Sequence, residues 1–388
     1  MEHLEFKLVI SRLKNRLLYL LMSIFPIKRN KIVFSNFIGK GYGDNCKYIC
    51  ERLLDNTCLY DLVWIVSSNN TQLPYGVRPV RIFSLQYYYE MATARVWVDN
   101  CRKPFGTFKR KGQFYIQTWH GDLALKKVEA DVEGKLTMEY VSQAKSDSKM
   151  ADLFVSGSNF SSNLYRNAFW YDGNIAVIGM PRMEILLKNS VVKKKEIKEK
   201  LGVNPNTRII FYVPTFRNKS SKDNIDIYKL EWKRILTAIE KKFHGNWVGI
   251  LRLHPNISNL SQYLDLPTNV IDVTNYPDIQ ELLLVSDLCI TDYSSCMFEF
   301  AMTYKGVFLY VPDFEDYKKE RDVYFSLNET PFDIAYNITE LESSILKFDE
   351  TLYRSKLNDF FEKYGVVINE DSATILADRI YALCYNHK

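Results

Sequence analysis

Short apolar runs of strand length recur along the chain, and polar turns and helically spaced segments separate most of them. Lys31–Ser35, Leu62–Val66, Arg95–Asp99, Tyr115–Trp119, Leu153–Ser156 and Ile175–Gly179 make a first series. A charged helical stretch, Lys188–Lys200, leads into a second: Arg208–Thr215, Trp247–Arg252, Val270–Val273, Leu288–Ile290 and Val307–Tyr310. Helices over Glu340–Phe348 and Ser372–Cys384 close the chain. Apolar runs of this length read as strands, and helices between them predict mostly parallel sheets. The pattern therefore predicts an α/β protein of two halves with a cleft between them. A length of 388 residues fits two domains of ordinary size.

The first thirty residues stand apart. Leu17–Ile27 is apolar but too short to cross a bilayer, and Lys7, Arg12, Lys14, Arg16, Lys28, Arg29 and Lys31 flank it. Leu13, Leu17, Leu20 and Leu21 have helical spacing, which suits an amphipathic helix lying on an anionic membrane surface. An ordinary surface helix packed on the domain is the alternative. The apolar run gives way to Pro-Ile-Lys-Arg-Asn, with no small-residue cleavage site of the kind a signal peptide carries. The expected division is thus 1–30 as a basic membrane-associating segment, 31–187 as an N-terminal domain and 188–388 as a C-terminal domain. The last helix is free to pack back on the N-terminal domain.

Composition narrows the function classes. With 47% hydrophobic residues there is ample core material, and a net charge of +5 is too mild to demand a nucleic-acid partner. Seven scattered cysteines without a C-x-x-C pair, and five dispersed histidines, give no zinc pattern and fit a reducing cytoplasm.

Candidate chemistry collects at the predicted strand ends, where ligands gather in open α/β sheets. The most informative stretch is Ile290–Ala301, an apolar strand end, a turn containing Asp292, Ser294 and Ser295, and then a predicted amphipathic helix. Such a turn aims hydroxyls and unpaired N–H groups at one point, which suits phosphate oxygens. Leu251–Pro255 ends another strand with Arg252 and His254 on one face. Val213–Arg217 supplies Thr215 and a guanidinium, Asp278 and Glu281 could hold ribose hydroxyls, and Arg321 is an isolated cation. In the first half, His120 and Gly121 follow a strand, and an imidazole there can take a proton from an attacking hydroxyl. A structural histidine capping the next helix is the competing reading. The loop Gly39–Asn45 lacks the spacing of either common phosphate loop and reads as a flexible acceptor-side loop. No D-x-D triplet occurs, so a diphosphate would be neutralised by Arg, His and helix dipoles with no dedicated metal.

Together these pieces resemble the CDP-glycerol glycerophosphotransferase family of bacterial wall and capsule polymer synthesis. The matching residues, in family order, are Gly39–Asn45, Gln117–Gly121 with Leu125–Lys127, and Gly179–Arg182. They continue with Tyr212–Arg217, Leu253–Pro255, Ile290–Ser295 and Arg321. The resemblance implies a GT-B-like fold, two Rossmann-like domains facing across a cleft. It implies transfer of glycerol phosphate from the donor CDP-glycerol to a hydroxyl of a lipid-linked acceptor, an undecaprenyl-diphosphate-linked saccharide or polymer, releasing CMP. By the family pattern His120 is the base and His254 its catalytic counterpart on the donor side. The same pattern has His254, Ser294, Ser295 and Arg321 hold the donor's phosphates, and Thr215, Arg252, Glu281 and Asp292 complete the expected donor-binding set. Gly41, Tyr42, Asp44, Gly121 and Lys126 are expected on the acceptor side. Two departures stand out: Arg321-Asp322 where the family often has Arg-Gly, and Asp122-Leu123-Ala124 where Thr-Pro commonly follows His-Gly. The resemblance implies an enzyme on the cytoplasmic face of the cell membrane. The rival readings are transfer from CDP-ribitol, a GT-B glycosyltransferase using a nucleotide-sugar, and a non-enzymatic membrane-surface scaffold.

Overall fold

A computed structural model describes residues 2–55, 58–68, 70–217, 222–320 and 322–386; the expected phosphate contact at Arg321 lies outside the described residues. Two compact units make up the chain. The first comprises Met1–Asp122, Val128–Glu184 and Val367–Lys388, and the second comprises Leu123–Lys127 and Ile185–Val366.

The first unit is built on a seven-stranded sheet. Its strands are β1 (Lys28–Ser35), β2 (Asp61–Val66), β3 (Val77–Arg81), β4 (Ala94–Asp99), β5 (Phe114–Gln117), β6 (Leu153–Ser156) and β7 (Asn174–Val177). They lie in the order β3-β2-β1-β4-β5-β6-β7, and every pairing is parallel. The second unit carries six: β8 (Arg208–Val213), β9 (Trp247–Leu251), β10 (Val270–Asp272), β11 (Leu288–Thr291), β12 (Val307–Tyr310) and β13 (Asp333–Ala335). Their order, β10-β9-β8-β11-β12-β13, is again wholly parallel. Both sheets thus share the doubly wound order 3-2-1-4-5-6, in which the chain reverses direction between the first and fourth strands of the unit. That reversal opens a crevice at the carboxyl ends of those two strands.

Continuous apolar runs are what strands covered on both faces require. Ile32, Val33 and Phe34 of β1, Val96, Trp97 and Val98 of β4, and Ile209, Ile210 and Phe211 of β8 are all fully buried. The sequence pattern overlooks the edge strands β3 and β13. Neither carries a sustained apolar run: Arg78, Pro79 and Arg81 interrupt β3, and β13 is three residues long and begins with Asp333. The predicted strand over Tyr115–Trp119 stops at Gln117, since Trp119 turns the backbone to φ +52°.

The C-terminal helix Ser372–Tyr385 belongs to the first unit. Leu376 and Ile380 are fully buried in the same core cluster as Ile32, Ile49 and Val96. At its start Ala373 N donates to the buried Glu184 carboxylate at 3.1 Å, and Ser372 Oγ donates to Ile178 O at 2.7 Å. The N-terminal helix Glu2–Met22 packs with unusual polarity. Asn15 and Tyr19 face inward, bonded to Tyr88, Phe105 O and Tyr87, whereas Leu13, Leu17, Leu20 and Leu21 are 49–63% exposed.

Truncating Leu376 to Ala removes fully buried atoms from the core of the first unit and should cost about 2–5 kcal/mol of stability. The neighbouring Ile375→Ala, on the 41% exposed side, should stay within about 0.5 kcal/mol. Urea unfolding of the full chain distinguishes them, and equal losses would mean that the helix is not seated by Leu376.

Candidate active site

In the first unit the ends of β1, β4 and β5 converge. β1 runs into the loop 36–43, whose tight course needs glycine. Gly39 sits at φ +86°, and a Cβ there would lie 2.8 Å from Ser67 N and 3.0 Å from Val66 C. Its carbonyl accepts from Ser67 N at 2.8 Å. Trp64 Nε1 donates to Gly41 O at 3.1 Å, and Tyr42 packs on the Trp64 ring with centroids 4.5 Å apart. Asp44, at φ +57°, is paired with Arg182, so its carboxylate is already matched by a buried guanidinium. The loop 36–43 is thereby held by its own contacts, and it is more firmly built than the flexible loop expected from its glycines.

His120 follows β5. Its ring is partly buried, stacked on Trp119 at 4.3 Å and tilted against Phe37 at 5.1 Å. The backbone around it is strained: Phe37, Ile38, Asp44 and Trp119 all have φ between +42° and +58°, a region non-glycine residues avoid. Trp119 is held by Asn45 Nδ2, which donates to its carbonyl at 3.1 Å, and by the Arg102 guanidinium 5.6 Å above its ring. Arg102 is itself buried between Glu129, Asp147 and Ser148.

Nδ1 of His120 lies 2.7 Å from Asn100 O. A carbonyl only accepts, so Nδ1 carries the hydrogen and the lone pair resides on Nε2. Burial holds the imidazole below its ordinary pKa of 6.5 against the opposing pull of the Asn100 carbonyl and Asp44. His120 is therefore a neutral imidazole at neutral pH. Among the described helices, none has His120 as its N-cap residue. Asp122 anchors the turn that follows: Gly157 N donates to its carboxylate at 2.8 Å, and a Cβ on Gly157 would stand 2.9 Å from it. Gly121 lies in this same turn. Lys126, expected beside Gly121 on the acceptor side, falls instead in the second unit. There it pairs with Val323, and its ammonium lies 5.4 Å from the Tyr317 ring centre.

In the second unit the ends of β8 and β11 meet at Asp292. Its buried carboxylate accepts from Thr215 N twice at 2.9 Å, from Thr215 Oγ1 at 2.5 Å, and from Arg217 Nη2 at 2.9 Å. Arg217 also bridges to Asp313 at 2.7 Å and lies over the stacked rings of Tyr293 and Tyr317. Thr215 and Asp292 thus spend their polar atoms on each other and shape the turn from within.

Ser294 and Ser295 are partly exposed at the turn, and Ser295 occupies the N-cap of the next helix without a side-chain cap bond. That helix, Cys296–Ala301, is six residues long and buried on every side, where an amphipathic helix was expected. So short a helix adds little dipole at this turn. Arg252 follows β9, and its buried Nη1 finds no hydrogen-bond partner among the described residues. Burial lowers its pKa, with Asp278 opposing. His254 caps the helical turn after it by accepting from Asn256 N at 3.2 Å on Nδ1, which leaves Nε2 as the ring's donor. Desolvation first, then Lys126 and Arg252, hold its pKa below 6.5. Glu281 accepts from Tyr276 OH at 2.5 Å with Lys193 at 3.9 Å, and Asp278 caps the helix Ile279–Val285. A cavity of about 400 Å³ adjoins the turn, lined by Leu125, Tyr293, Phe314, Tyr317, Phe325 and Leu327 among others. A larger hollow of about 600 Å³ over Asn328–Lys363 holds none of the predicted residues. Among the described residues no group of three His, Cys, Asp or Glu side chains gathers in metal-binding fashion.

The residues that sequence reasoning passed over are Asn36, Asn45, Asn100 and Arg182, the polar fasteners around His120. Arg182 and Asn45 stood within recognisable motifs; Asn36 and Asn100 carried only the signal of following a strand end.

Known proteins share this architecture. The chain is 29% identical over 381 residues to a teichoic acid poly(glycerol phosphate) polymerase of Bacillus spizizenii, covering 94% of this chain and 95% of that one. It is 30% identical to a teichoic acid glycerol-phosphate transferase of Staphylococcus aureus, covering 89% and 90%. A polymerase of Staphylococcus epidermidis is also 30% identical, but the chain spans only 51% of its length. Among solved structures, the wall teichoic acid polymerase TagF, in a histidine variant soaked with CDPG, superposes with a TM-score of 0.84 at 29% identity over 99% of this chain and 98% of that one. A UDP-bound MnaA structure at 12% identity and a TM-score of 0.52 shares the fold, which is GT-B-like. Residues 17–382 match the family described as CDP-glycerol:poly(glycerophosphate) glycerophosphotransferase, and the chain belongs to that family.

Proposed function

We propose that this protein transfers glycerol phosphate from CDP-glycerol to a hydroxyl of a teichoic-acid-type acceptor and releases CMP. The observation that carries the reading is His120 as a neutral imidazole with its lone pair on Nε2. A family match across residues 17–382 supports the donor, as do relatives named for glycerol-phosphate transfer.

The chemistry is an in-line displacement at phosphorus. The acceptor oxygen bonds to the β-phosphorus that bears glycerol, and the bond from that phosphorus to the bridging oxygen breaks, leaving CMP with the electron pair. The acceptor proton passes to Nε2 of His120. Negative charge grows on the departing phosphate, where preorganised donors stabilise it more than they stabilise the ground state. Arg252 suits that task, since its buried Nη1 lacks a partner among the described residues and an anion would satisfy it. His254, Ser294 and Ser295 add donors, with Arg321 a further candidate. Gly41, Tyr42, Asp44 and Gly121 belong to the acceptor side, where Asp44 acts through Arg182. Lys126 is reassigned to the donor side, because it lies in the second unit and its charge is felt by His254. The undecaprenyl-linked acceptor and the choice of glycerol over ribitol complete the reading; CMP release with CDP-glycerol, CDP-ribitol and UDP-sugars tests it.

The basic N-terminal helix fits attachment to an anionic membrane surface at its cytoplasmic face. No helix among the described residues is long and apolar enough to cross a membrane. Its exposed leucines, and Ile24 at 80% exposure, share the segment 11–30 with the exposed Arg12, Arg16, Lys28 and Arg29.

His120→Ala should leave a folded enzyme with kcat down about 10²–10⁴-fold. In the wild type, kcat/KM should fall as pH drops through a value below 6.5, because activity needs the unprotonated ring. Wild-type turnover in the variant, or an acid limb above 6.5, would remove His120 as the base. His254→Ala should weaken CDP-glycerol binding by calorimetric titration, and an unchanged affinity would refute its donor role. Co-sedimentation with anionic lipid vesicles should be lost in a Leu17→Glu, Leu21→Glu variant; retention would show that the leucine face is not the anchor.

A further inference from the structure

The polar fasteners of the first unit do more than fill the crevice. β1 and β4 part company at their carboxyl ends, after the register pair Ser35–Asp99. The next residue on each strand is an asparagine, and the two carboxamides meet there. Asn100 Nδ2 donates to Asn36 Oδ1 at 2.7 Å, and Asn100 Oδ1 accepts from Phe37 N at 2.9 Å. Asn36 Nδ2 in turn donates to Lys40 O at 2.8 Å. Asn100 is fully buried and Asn36 nearly so. The backbone N–H of Asn100 is tied to Asp99 Oδ1 at 2.8 Å. Its backbone carbonyl is the group 2.7 Å from Nδ1 of His120.

One residue therefore links three things. Its side chain fixes the strained start of the loop 36–43, its carbonyl fixes the tautomer of His120, and Phe37, held by that side chain, packs against the His120 ring. Such strain persists only where surrounding bonds over-determine it. We propose that Asn100, coupled to Asn36, is the positioning residue of the His120 base, selecting the Nδ1–H tautomer and setting the ring against the loop 36–43. This rests on His120 acting as the base. Nothing in the sequence distinguishes these asparagines from ordinary turn residues, which are common after strands. Their pairing across the switch point is what gives them a role.

The arrangement resembles the carboxylate or carbonyl partners that hold catalytic and metal-bound histidines. Here the partner is a main-chain carbonyl, so it survives any substitution in composition but not in place. Removing the Asn100 side chain frees Phe37 N and Asn36 Oδ1 inside the crevice, and the carbonyl moves with the loosened turn. A displacement near 1 Å at a catalytic group can lower turnover about 10²-fold.

The charged groups bearing on His120 are Asp44, Arg182 and Glu129. Loss of the Nδ1–H···O=C bond removes an interaction that favours the imidazolium. The ring's pKa then falls further, and the acid limb of kcat/KM moves to lower pH.

The test compares Asn100→Ala, Asn36→Ala and the double variant in the full chain. Each single variant should lower kcat by up to about 10²-fold with little change in KM for CDP-glycerol, and the acid limb should move downward. The double variant should lose no more than the worse single one, because the two carboxamides act as one unit. Independently of activity, long-range ¹H–¹⁵N correlation should show His120 protonated on Nδ1 in the wild type and redistributed towards Nε2 in the Asn100 variant. If Asn100→Ala does not fold, Asn36→Ala carries the same tautomer and pH measurements. Rates that fall additively with the acid limb and tautomer unmoved would reduce the pair to scaffolding and overturn the proposal. A wild-type tautomer on Nε2 would overturn it outright. Should His120→Ala prove fully active, the base reading fails, and the tautomer shift still decides whether Asn100 sets the ring.

Discussion

Parallel strands all stop facing the same way, and where two neighbours diverge their last backbone groups lose each other as partners. That constraint organises both units. In the first it falls between β1 and β4, in the second between β8 and β11, the equivalent place in the same strand order. Buried backbone groups cannot go unpaired without a cost of about 1–3 kcal/mol each, so polar side chains must enter. Asn36 and Asn100 enter in the first unit, Thr215 and Asp292 in the second. The two solutions differ in charge. An amide pair suits a site that holds a neutral imidazole, because it adds no field to shift the ring. A carboxylate suits the other, because Arg217 is there to balance it.

Buried cations show how the two units use charge for shape. Arg102 lies among Glu129, Asp147 and aromatic faces, and Arg217 among Asp292, Asp313 and the Tyr293–Tyr317 stack. Pairs this well buried gain little net stability over apolar packing, yet breaking one leaves an uncompensated charge. They therefore fix conformation more than they add stability. Arg102 fixes Trp119 and through it the His120 ring; Arg217 fixes the loop after β8. Arg252 differs from both, for its buried Nη1 has no partner among the described residues.

Much of this was legible in the sequence. Central strands are apolar on both faces, so Leu153–Ser156 and Val307–Tyr310 could be read with their bounds intact. The edge strands Val77–Arg81 and Asp333–Ala335 could not, since charges and a proline break the first and the second is three residues long. His120 and His254 stood out because few side chains titrate near neutrality and both closely follow strands. Lys126 falls in a different unit from Gly121, because adjacency in sequence says nothing about where the chain passes from one unit to the other. Asn36 and Asn100 were invisible for a similar reason. They lie 64 residues apart, and only the strand order makes them neighbours.

Distance in sequence also explains why the proposed base must be tuned by geometry. An imidazole partly withdrawn from water becomes harder to protonate, which keeps it available as a base but leaves its two nitrogens equivalent in principle. Burial sets the charge state and cannot choose the tautomer. A directed acceptor can, and a main-chain carbonyl at the end of β4 is the most rigid one at hand, being held by the sheet on one side and by the Asn36–Asn100 amides on the other. The fold class supplies the crevice and the burial. The choice of nitrogen comes from two side chains that the strand order brings together, so the specificity of the chemistry resides in the seam of the sheet as much as in the histidine itself.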